Sequence, residues 1–484
     1  MGKAYNRMKG LSTFVLVAGL WSTYTEGLTF EKRTDGPARV VGFPVARTSI
    51  EDPVKRDRLR RRGTVTAILD NQQTLYFANA TLGTPPQIQR LHIDTGSSDL
   101  WVNAKTSALC KGKEGACDFA GSYSANASST YSYIGSHFNI SYVDGSGASG
   151  DYVSDTFSIG STTLKRLQFG IGYTSSSPEG ILGIGYEVNE VQVGRAGKGT
   201  YNNLPAQLKA DGFITSNAYS LWLNDLSAST GSILFGGIDT EQFEGTLQTL
   251  PVQRESNTFA EFLITLTDIN IGSHVVAKKQ AQAVLLDSGS SLTYLPDVMT
   301  EAIYAQVGAQ YDSSQGAAYV PCSLAENTST IDFTFSGPTI RVPMNELVIF
   351  IASTSGRPLT FSDGSRACIF GIAPAGAASA VMGDTFIRSA YLVYDLDNNQ
   401  ISIAQTKFNA TTHNIVEITS GKNSVPKAQT VPNPVAASST PNHAHVSGST
   451  DSNKPKNAAK VNAPSAKLGF VSTLLTLSVF FAAL

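Results

Sequence analysis

Residues 91–98 read Leu-His-Ile-Asp-Thr-Gly-Ser-Ser, and residues 284–291 read Val-Leu-Leu-Asp-Ser-Gly-Ser-Ser. In each copy an apolar run ends in an aspartate, Asp94 or Asp287. About 90 residues downstream, each copy also has two apolar residues before a glycine, in Ile181–Leu182–Gly183 and Val381–Met382–Gly383. A repeat of this length predicts two lobes of similar plan, related by a pseudo-twofold axis, with a boundary near residues 245–255.

The repeated unit suits acid–base chemistry. The apolar run desolvates the carboxylate, the glycine lets the backbone turn beside it, and a hydroxyl after the turn can donate to it. A pseudo-twofold axis would bring Asp94 and Asp287 face to face, where two carboxylates share one proton. One carboxylate can then take a proton from water while the other gives a proton to a peptide carbonyl oxygen. This arrangement predicts peptide hydrolysis without a covalent intermediate.

The rest of the core reads mainly as short strands, so the fold class is all-β with a few short helices. Phe138–Tyr142 alternates as a strand, Asp144–Gly147 is a hairpin turn, and Asp151–Phe157 is the return strand. Helices are expected at Leu204–Ala210 and Asp297–Tyr311.

Composition excludes several classes of protein. The chain has 484 residues, of which 41% are hydrophobic and 15% charged, with no internal apolar run long enough for a polytopic membrane protein. The net charge of −2 hides an acidic core, because residues 63–417 hold 17 cations and 31 anions. A nucleic-acid binder would have the opposite sign in its folded part. We therefore expect no nucleic-acid partner.

The N-terminal 62 residues look like processing segments. Residues 1–27 have basic residues before a short apolar run, as in a secretory signal peptide. Residues 28–62 are basic and end in Arg60–Arg61–Arg62, which predicts a pro-segment whose removal leaves Gly63 first; Lys32–Arg33 is a second candidate cut. The two lobes are then expected at 63–248 and 249–417.

The C-terminal segment predicts a lipid anchor. Residues 418–457 are rich in Ser, Thr, Pro, Asn and Ala, and are expected to form an unfolded stalk. Asn457–Ala458–Ala459 is followed by an eight-residue spacer and a 17-residue uncharged tail, the pattern of a GPI signal with attachment at Asn457 and removal of 458–484. A C-terminal transmembrane anchor is the alternative, and it fits the short, hydroxyl-containing tail less well.

In a secreted chain, cysteines are stronger evidence for disulfide bonds, and sequons are stronger evidence for N-linked glycans. Four cysteines allow three pairings, and local pairing within each half is the simplest: Cys110 with Cys117 and Cys322 with Cys368. No C-x-x-C or histidine cluster at ligand spacing is present, so we expect neither a metal nor a cofactor. Five N-glycosylation sequons begin at Asn79, Asn126, Asn139, Asn327 and Asn409.

Over about residues 73–406 the sequence resembles the pepsin-like aspartic protease family. The resemblance rests on motifs in the family's order: Phe77–Pro86, Asp94–Val102, Tyr142–Ser146, Gly180–Gly185, Leu234–Asp239, Asp287–Ser291 and Val381–Arg388. It implies a bilobal β fold with a cleft between lobes, peptide or protein substrates, and a monomer.

The resemblance also assigns roles to individual positions. It implies that Asp94 and Asp287 are the catalytic pair, supported by Thr95, Gly96, Ser97, Ser288, Gly289 and Ser290. It matches Tyr142 to the tyrosine of a flap that closes over the substrate, and Trp101 to the tryptophan that supports this tyrosine. Gly145 and Ser146 match the backbone that contacts the substrate.

The basic pro-segment, the stalk and the GPI signal together resemble the yapsin branch of fungal aspartic proteases, which cleave beside Lys or Arg. An acidic pocket would explain that preference, and Glu187, Glu190 and Asp118 are candidates, although each also fits an ordinary acidic surface. Only six residues separate Cys110 from Cys117, where some yapsins have a longer insertion. A broader, pepsin-like preference therefore stays open.

Two other functions are alternatives to the endopeptidase. A catalytically silent binding or cell-wall protein on the same scaffold would usually lack one aspartate or the flap tyrosine, and this sequence has all three. A glycosidase also needs two carboxylates, but not in a duplicated Asp-x-Gly-Ser context.

Overall fold

The computed structural model describes residues 30–31, 38–48, 75–112, 115–142, 146–228, 230–350 and 358–438. The described residues form mainly strands, as the sequence predicts. Those of the first half are β1 (Phe30–Glu31), β2 (Val41–Thr48), β3 (Leu75–Leu82), β4 (Gln87–Asp94), β5 (Leu100–Asn103), β6 (Ser132–Ser141), β7 (Gly147–Ile159), β8 (Thr162–Ser175), β9 (Gly180–Gly183), β10 (Ala218–Trp222), β11 (Thr230–Phe235), β12 (Gly237–Asp239) and β13 (Phe243–Pro251).

The second half continues with shorter strands. They are β14 (Leu263–Leu266), β15 (Asp268–Ile271), β16 (His274–Ala277), β17 (Gln282–Leu286), β18 (Thr293–Leu295), β19 (Gln310–Asp312), β20 (Ala317–Pro321), β21 (Thr330–Thr334), β22 (Thr339–Pro343), β23 (Val348–Ile349), β24 (Ala367–Phe370), β25 (Ile372–Pro374), β26 (Ala380–Met382), β27 (Ala390–Asp395), β28 (Gln400–Thr406), β29 (Ile415–Glu417) and β30 (Ala428–Thr430).

The helices of the described chain are short. They are α1 (Ala108–Lys111), α2 (Val191–Ala196), α3 (Leu204–Ala210), α4 (Asp297–Val307), α5 (Met344–Leu347) and α6 (Asp384–Ile387). The α3 helix has the predicted bounds, and the side chain of Asn203 caps it by accepting from the Ala206 N–H. The expected end of α4 at Tyr311 was wrong, because Gly308 takes a left-handed conformation (φ 70°) and stops the helix.

The sequence repeat is also a repeat of topology. Strand β4, which ends at Asp94, pairs in parallel with β9, and β9 pairs antiparallel with β5, which pairs in parallel with β8. Strand β17, which precedes Asp287, has the same sequence of partners: β26 in parallel, then β18 antiparallel, then β25 in parallel. The two apolar-apolar-Gly echoes are therefore the strands that flank the two aspartates.

The two halves share one sheet. Its 14 strands run in the order β30-β13-β28-β27-β10-β11-β2-β3-β4-β9-β5-β8-β7-β6, so β27 and β28 of the second half lie against β10 and β13 of the first. The expected boundary between residues 248 and 249 falls inside β13, which runs unbroken from Phe243 to Pro251. The sequence does not reveal this boundary, because strands that pair across the two halves have the same apolar pattern as strands that pair within one half.

Part of the predicted pro-segment is a strand of this sheet. Strand β2 lies between β11 and β3 and pairs antiparallel with both. The predicted cleavage point at Gly63 lies outside the described residues. Cleavage there leaves β2 hydrogen-bonded to both neighbours, and only release of the cleaved segment would expose the edges of β11 and β3.

The prediction that residue 418 begins an unfolded stalk was wrong for residues 418–438. Ile418, Val425 and Val431 are buried, and β30 pairs in parallel with β13. The low-complexity composition did not indicate that these three apolar side chains would be buried. Nor did it indicate that β13 has a free edge to which β30 can bond. We call residues 418–438 the strap; the rest of the predicted stalk, with Asn457, lies outside the described residues.

Four smaller sheets remain, of which the first joins strands of both halves and the other three belong to the second half. They are β1-β29-β12, β14-β17-β26-β18-β25, β16-β15-β21-β22 and β19-β20-β24-β23. Within the described ranges, no helix has the length and apolar character needed to cross a membrane.

Candidate active site

Asp94 and Asp287 occupy equivalent positions at the ends of equivalent strands. Asp94 is the last residue of β4, and Asp287 follows the last residue of β17. The Asp94 side chain is buried and Asp287 is half-buried. Both lie where the two halves meet, because the residues that follow them, Thr95 and Ser288, are hydrogen-bonded to each other.

Each carboxylate is held by the same two donors. The Gly96 N–H donates to Asp94 Oδ1 at 2.9 Å, and the Ser97 hydroxyl donates to Oδ2 at 2.7 Å. In the other copy the donors are the Gly289 N–H to Asp287 Oδ1 and the Ser290 hydroxyl to Oδ2, both at 2.7 Å. The turn expected from Asp-x-Gly-Ser therefore fixes both oxygens of both carboxylates.

The glycines allow the two carboxylates to approach. A Cβ on Gly289 would lie 2.3 Å from Asp94 Oδ1 and 2.8 Å from Asp287 Oδ1. A Cβ on Gly96 would lie 2.6 Å from Asp287 Oδ1. The two Oδ1 atoms therefore face each other across a space that only glycine leaves open.

Hydroxyl residues lock the two turns together. Thr95 Oγ1 donates to the Leu286 carbonyl at 2.9 Å and accepts from the Ser288 N–H at 3.0 Å. Ser288 Oγ donates to the Ile93 carbonyl at 3.0 Å and accepts from the Thr95 N–H at 3.2 Å. This network is buried and has the same pseudo-twofold symmetry as the carboxylates.

The hairpin of β6 and β7 has Tyr142 at its turn, and we call it the flap. The indole N–H of Trp101 donates to the Tyr142 hydroxyl at 2.7 Å, and the Tyr142 N–H donates to the Ser146 carbonyl at 2.8 Å. The return strand begins at Gly147, four residues before the expected Asp151. Gly145 lies outside the described residues.

Asp99, which was not among the predicted site residues, lies in the chain between the turn at Asp94 and Trp101. It is buried and accepts from the Tyr152 hydroxyl at 2.5 Å, the Tyr201 hydroxyl at 2.9 Å and the Val191 N–H at 2.8 Å. Burial raises the pKa of Asp99, and these donors oppose the increase. An acidic residue inside an apolar Leu-Trp-Val context was the signal that could have identified it.

The three candidates for an acidic pocket differ in environment. Glu190 is buried, and its Oε2 accepts from the Tyr201 N–H at 2.9 Å. Burial raises the pKa of Glu190 to about 10 and also raises the pKa of the half-buried Glu187. Asp118 is exposed and follows Cys117. Glu187 and Glu190 therefore lie together at the start of α2, whereas Asp118 belongs to the loop closed by the first disulfide.

The disulfide prediction was confirmed: Cys110 is bonded to Cys117 and Cys322 to Cys368. The five sequon asparagines, Asn79, Asn126, Asn139, Asn327 and Asn409, are all exposed. The described part of the chain contains no group of three or more His, Cys, Asp or Glu side chains arranged to hold a metal ion.

Comparison with known proteins gives a consistent result. The family model described as "Eukaryotic aspartyl protease" matches residues 75–406. A relative from Aspergillus oryzae, named "Probable aspartic-type endopeptidase opsB", is 54% identical over 87% of each chain. A more distant relative, "Secreted aspartic protease 8" of Candida albicans, is 38% identical over 72% of this chain and 80% of its own.

The fold is similar to that of a solved aspartic proteinase from Irpex lacteus. The TM-score is 0.59, and the match covers 77% of this chain and all of the other. The sequences are only 22% identical, so this likeness shows the bilobal fold alone.

Proposed function

The chain belongs to the eukaryotic aspartyl protease family and is an aspartic-type endopeptidase, and we propose that it is a secreted, GPI-anchored enzyme that works at acidic pH and cleaves beside Lys or Arg. The observation that carries the catalytic part is the paired geometry of Asp94 and Asp287. The alternative of a catalytically silent scaffold is favoured by no feature of the site.

The geometry supports direct attack by water. A water molecule between the two Oδ1 atoms gives one proton to the unprotonated aspartate, while the protonated aspartate gives its proton to the carbonyl oxygen under attack. The resulting tetrahedral carbon has two hydroxyls and the amine. The protonated aspartate then gives its proton to the nitrogen, one hydroxyl of the tetrahedral carbon returns a proton to the other aspartate, and the C–N bond breaks to give a carboxylic acid and an amine, so the pair again holds one proton.

The bonds to Gly96, Ser97, Gly289 and Ser290 support this chemistry by keeping both carboxylates in place through the cycle. Such positioning removes the need to reorganise the site during reaction. The flap also supports this chemistry, because Tyr142 is hydrogen-bonded to Trp101 and can cover a bound peptide.

An acidic residue next in the chain to the apolar cluster that Tyr142 contacts supports the proposed preference for basic residues. Glu190 adjoins Val191, and Val191, Tyr201 and Tyr142 all pack on the apolar cluster around Trp101. Glu190 Oε1 has no hydrogen-bond partner within the described structure. Burial keeps the Glu190 carboxyl protonated in the free enzyme, so a Lys or Arg side chain would have to reach this buried oxygen, supply the missing donor and favour ionisation of the carboxyl.

Other features support the proposed location. Two disulfides are typical of proteins that fold in an oxidising compartment. The five exposed sequon asparagines can accept N-linked glycans, and the GPI pattern at 457–484 would attach the chain to the outer face of the plasma membrane. We propose a monomer that reaches peptide or protein substrates at the cell surface or in the cell wall.

The test uses the secreted protein and its Asp94→Asn and Asp287→Asn variants. Each is incubated with a mixed peptide library near pH 4, and the cuts are mapped by mass spectrometry. Loss of cleavage in both variants, with an unchanged melting temperature, supports the aspartate pair; retained cleavage in either overturns it. Cuts between bulky apolar residues would reject the basic preference alone, and failure of a phosphatidylinositol-specific phospholipase to release the full-length protein from cells would reject the GPI anchor.

A further inference from the structure

The first strand of the flap lies at the edge of the large sheet. Strand β6 is hydrogen-bonded to β7 on one side and is the last strand in the sheet order. Alternate carbonyls of an edge strand face away from the sheet and need another donor. On β6 that donor is Arg195, from helix α2.

Arg195 binds two carbonyls that are two residues apart on this strand. Its Nη1 donates to the Asn139 carbonyl at 2.8 Å and to the Ser141 hydroxyl at 2.8 Å, and its Nη2 donates to the Ser141 carbonyl at 3.4 Å. The planar guanidinium presents several donors at once, so it replaces part of the missing neighbour strand. Tyr142 follows Ser141 directly.

Helix α2 is itself fixed to the catalytic half. The N–H of Val191, its first residue, donates to Asp99, and Asp99 also accepts from the Tyr201 hydroxyl. Glu190, which precedes the helix, accepts from the Tyr201 N–H. Helix α2, which contains Arg195, is therefore hydrogen-bonded to the segment between Asp94 and Trp101.

We propose that Arg195 is a positioning residue that clamps the flap and sets how often Tyr142 occupies its closed position. The flap is then held at two points, by Trp101 at the tyrosine and by Arg195 at the preceding residues. This inference rests on the endopeptidase function above.

Loss of the clamp should affect substrate capture more than folding. A flap that is closed for a smaller fraction of the time binds substrate with an apparent affinity reduced by that fraction. We expect Arg195→Gln to lower kcat/KM about 5- to 30-fold, mainly through KM. Arg195→Lys keeps the charge but lacks the planar guanidinium with its several donors. It should therefore recover part of the lost kcat/KM.

The experiment compares Arg195→Gln, Arg195→Lys and Arg166→Gln in the otherwise intact secreted protein. Arg166 is an exposed arginine on β8 and serves as the matched control. Kinetics on one peptide substrate are combined with amide hydrogen exchange of residues 132–141. In Arg195→Gln we expect faster amide exchange that is confined to the flap. In Arg166→Gln we expect wild-type exchange rates and kinetics.

Asn139–Ile140–Ser141 is also a sequon, so a glycan needs its own control. Ser141→Ala removes the hydroxyl and the sequon together, whereas Asn139→Gln removes only the sequon. A larger effect of Ser141→Ala than of Asn139→Gln supports the clamp, and equal effects assign the change to the glycan and count against it.

Two results would overturn the clamp. One is wild-type kinetics and flap exchange in Arg195→Gln; the other is a loss of exchange protection spread over the whole protein, which indicates a purely structural role. If the wild-type protein cleaves no peptide, the proposed function fails, and the exchange measurement still decides whether Arg195 holds the flap.

Discussion

Thr95 and Ser288 lie 193 residues apart in the chain, yet each accepts a hydrogen bond on its side-chain oxygen from the backbone N–H of the other. Each hydroxyl also donates to a carbonyl of the opposite half, that of Leu286 or Ile93. The two catalytic turns therefore form one buried unit, and the relative position of Asp94 and Asp287 depends on it.

The first prediction concerns this unit. Thr95→Val keeps the shape of the side chain but leaves the Ser288 N–H and the Leu286 carbonyl without a partner. A buried polar group left unpaired costs about 1–3 kcal/mol, so we expect unfolding to become easier by about 2–4 kcal/mol and kcat to fall at least tenfold. Urea denaturation and peptide-cleavage kinetics measure both.

Thr95→Ser is the matched control, because it retains the hydroxyl and copies the residue that stands at position 288. It should retain most of the activity and stability. Equal losses in Thr95→Ser and Thr95→Val would show that packing of the threonine methyl, rather than the hydrogen bonds, holds the two turns.

The second prediction concerns the space between the carboxylates. In Gly289→Ala the new Cβ would lie 2.3 Å from Asp94 Oδ1 and 2.8 Å from Asp287 Oδ1, so the pair must move apart. A misplacement of about 1 Å at a reacting centre can cost about 100-fold in rate, and we expect kcat to fall by at least that factor.

Gly199→Ala provides the comparison, because a Cβ there would meet no atom within 4 Å. It should cleave at the wild-type rate. Near-normal activity in Gly289→Ala would mean that the carboxylates do not approach as closely as the structure indicates.

The two aspartate turns could be predicted from the sequence because their hydrogen bonds are local. Asp94, Gly96 and Ser97 make their hydrogen bonds within three residues of one another, and the same pattern recurs at Asp287. The strand partners of the two aspartates were also predictable, since apolar-apolar-Gly recurs at a similar distance in each half.

Contacts between distant segments could not be predicted in this way. Arg195 reaches strand β6 from a helix 54–56 residues away, and nothing in the local sequence of α2 marks its partner. The strap was missed for a related reason, since composition averages over Val425 and Val431 and does not show that β13 offers an open edge.

The third prediction is a pH dependence of stability. Burial raises the pKa of Glu190 from the ordinary 4.5 to about 10, so the folded protein keeps this proton at pH 7 while the unfolded chain releases it. The stability from this group is therefore complete below pH 4.5 and is lost as pH rises toward 10. The loss is about 1.4 kcal/mol per pH unit, so it reaches at most about 3.5 kcal/mol by pH 7.

Glu190→Gln removes the titration and keeps an oxygen to accept from the Tyr201 N–H. We expect its free energy of unfolding to match the wild type near pH 4 and to exceed it at pH 7, as measured by urea denaturation at both values. Parallel pH profiles for the two proteins would show that Glu190 is not the group responsible.

The last prediction concerns the strap, which crosses the second half as an extra edge strand. The Val431 N–H donates to the Thr249 carbonyl at 3.0 Å, and the Ser438 N–H donates to the Ala281 carbonyl at 2.9 Å. A chain that ends at Ser438 should melt like the full secreted protein. A chain that ends at Glu417 should melt at a lower temperature, because it loses β30 and exposes the apolar surface under Ile418, Val425 and Val431.

A point variant separates packing from truncation. Val431 is 3% exposed, so Val431→Ala should cost about 1–3 kcal/mol through lost burial and the cavity left behind. Val435 is 42% exposed, and Val435→Ala should change the free energy of unfolding by less than about 0.5 kcal/mol. If the chain ending at Glu417 is as stable as the one ending at Ser438, the strap contributes nothing to the catalytic body, and the stalk begins at residue 418 as its composition predicts.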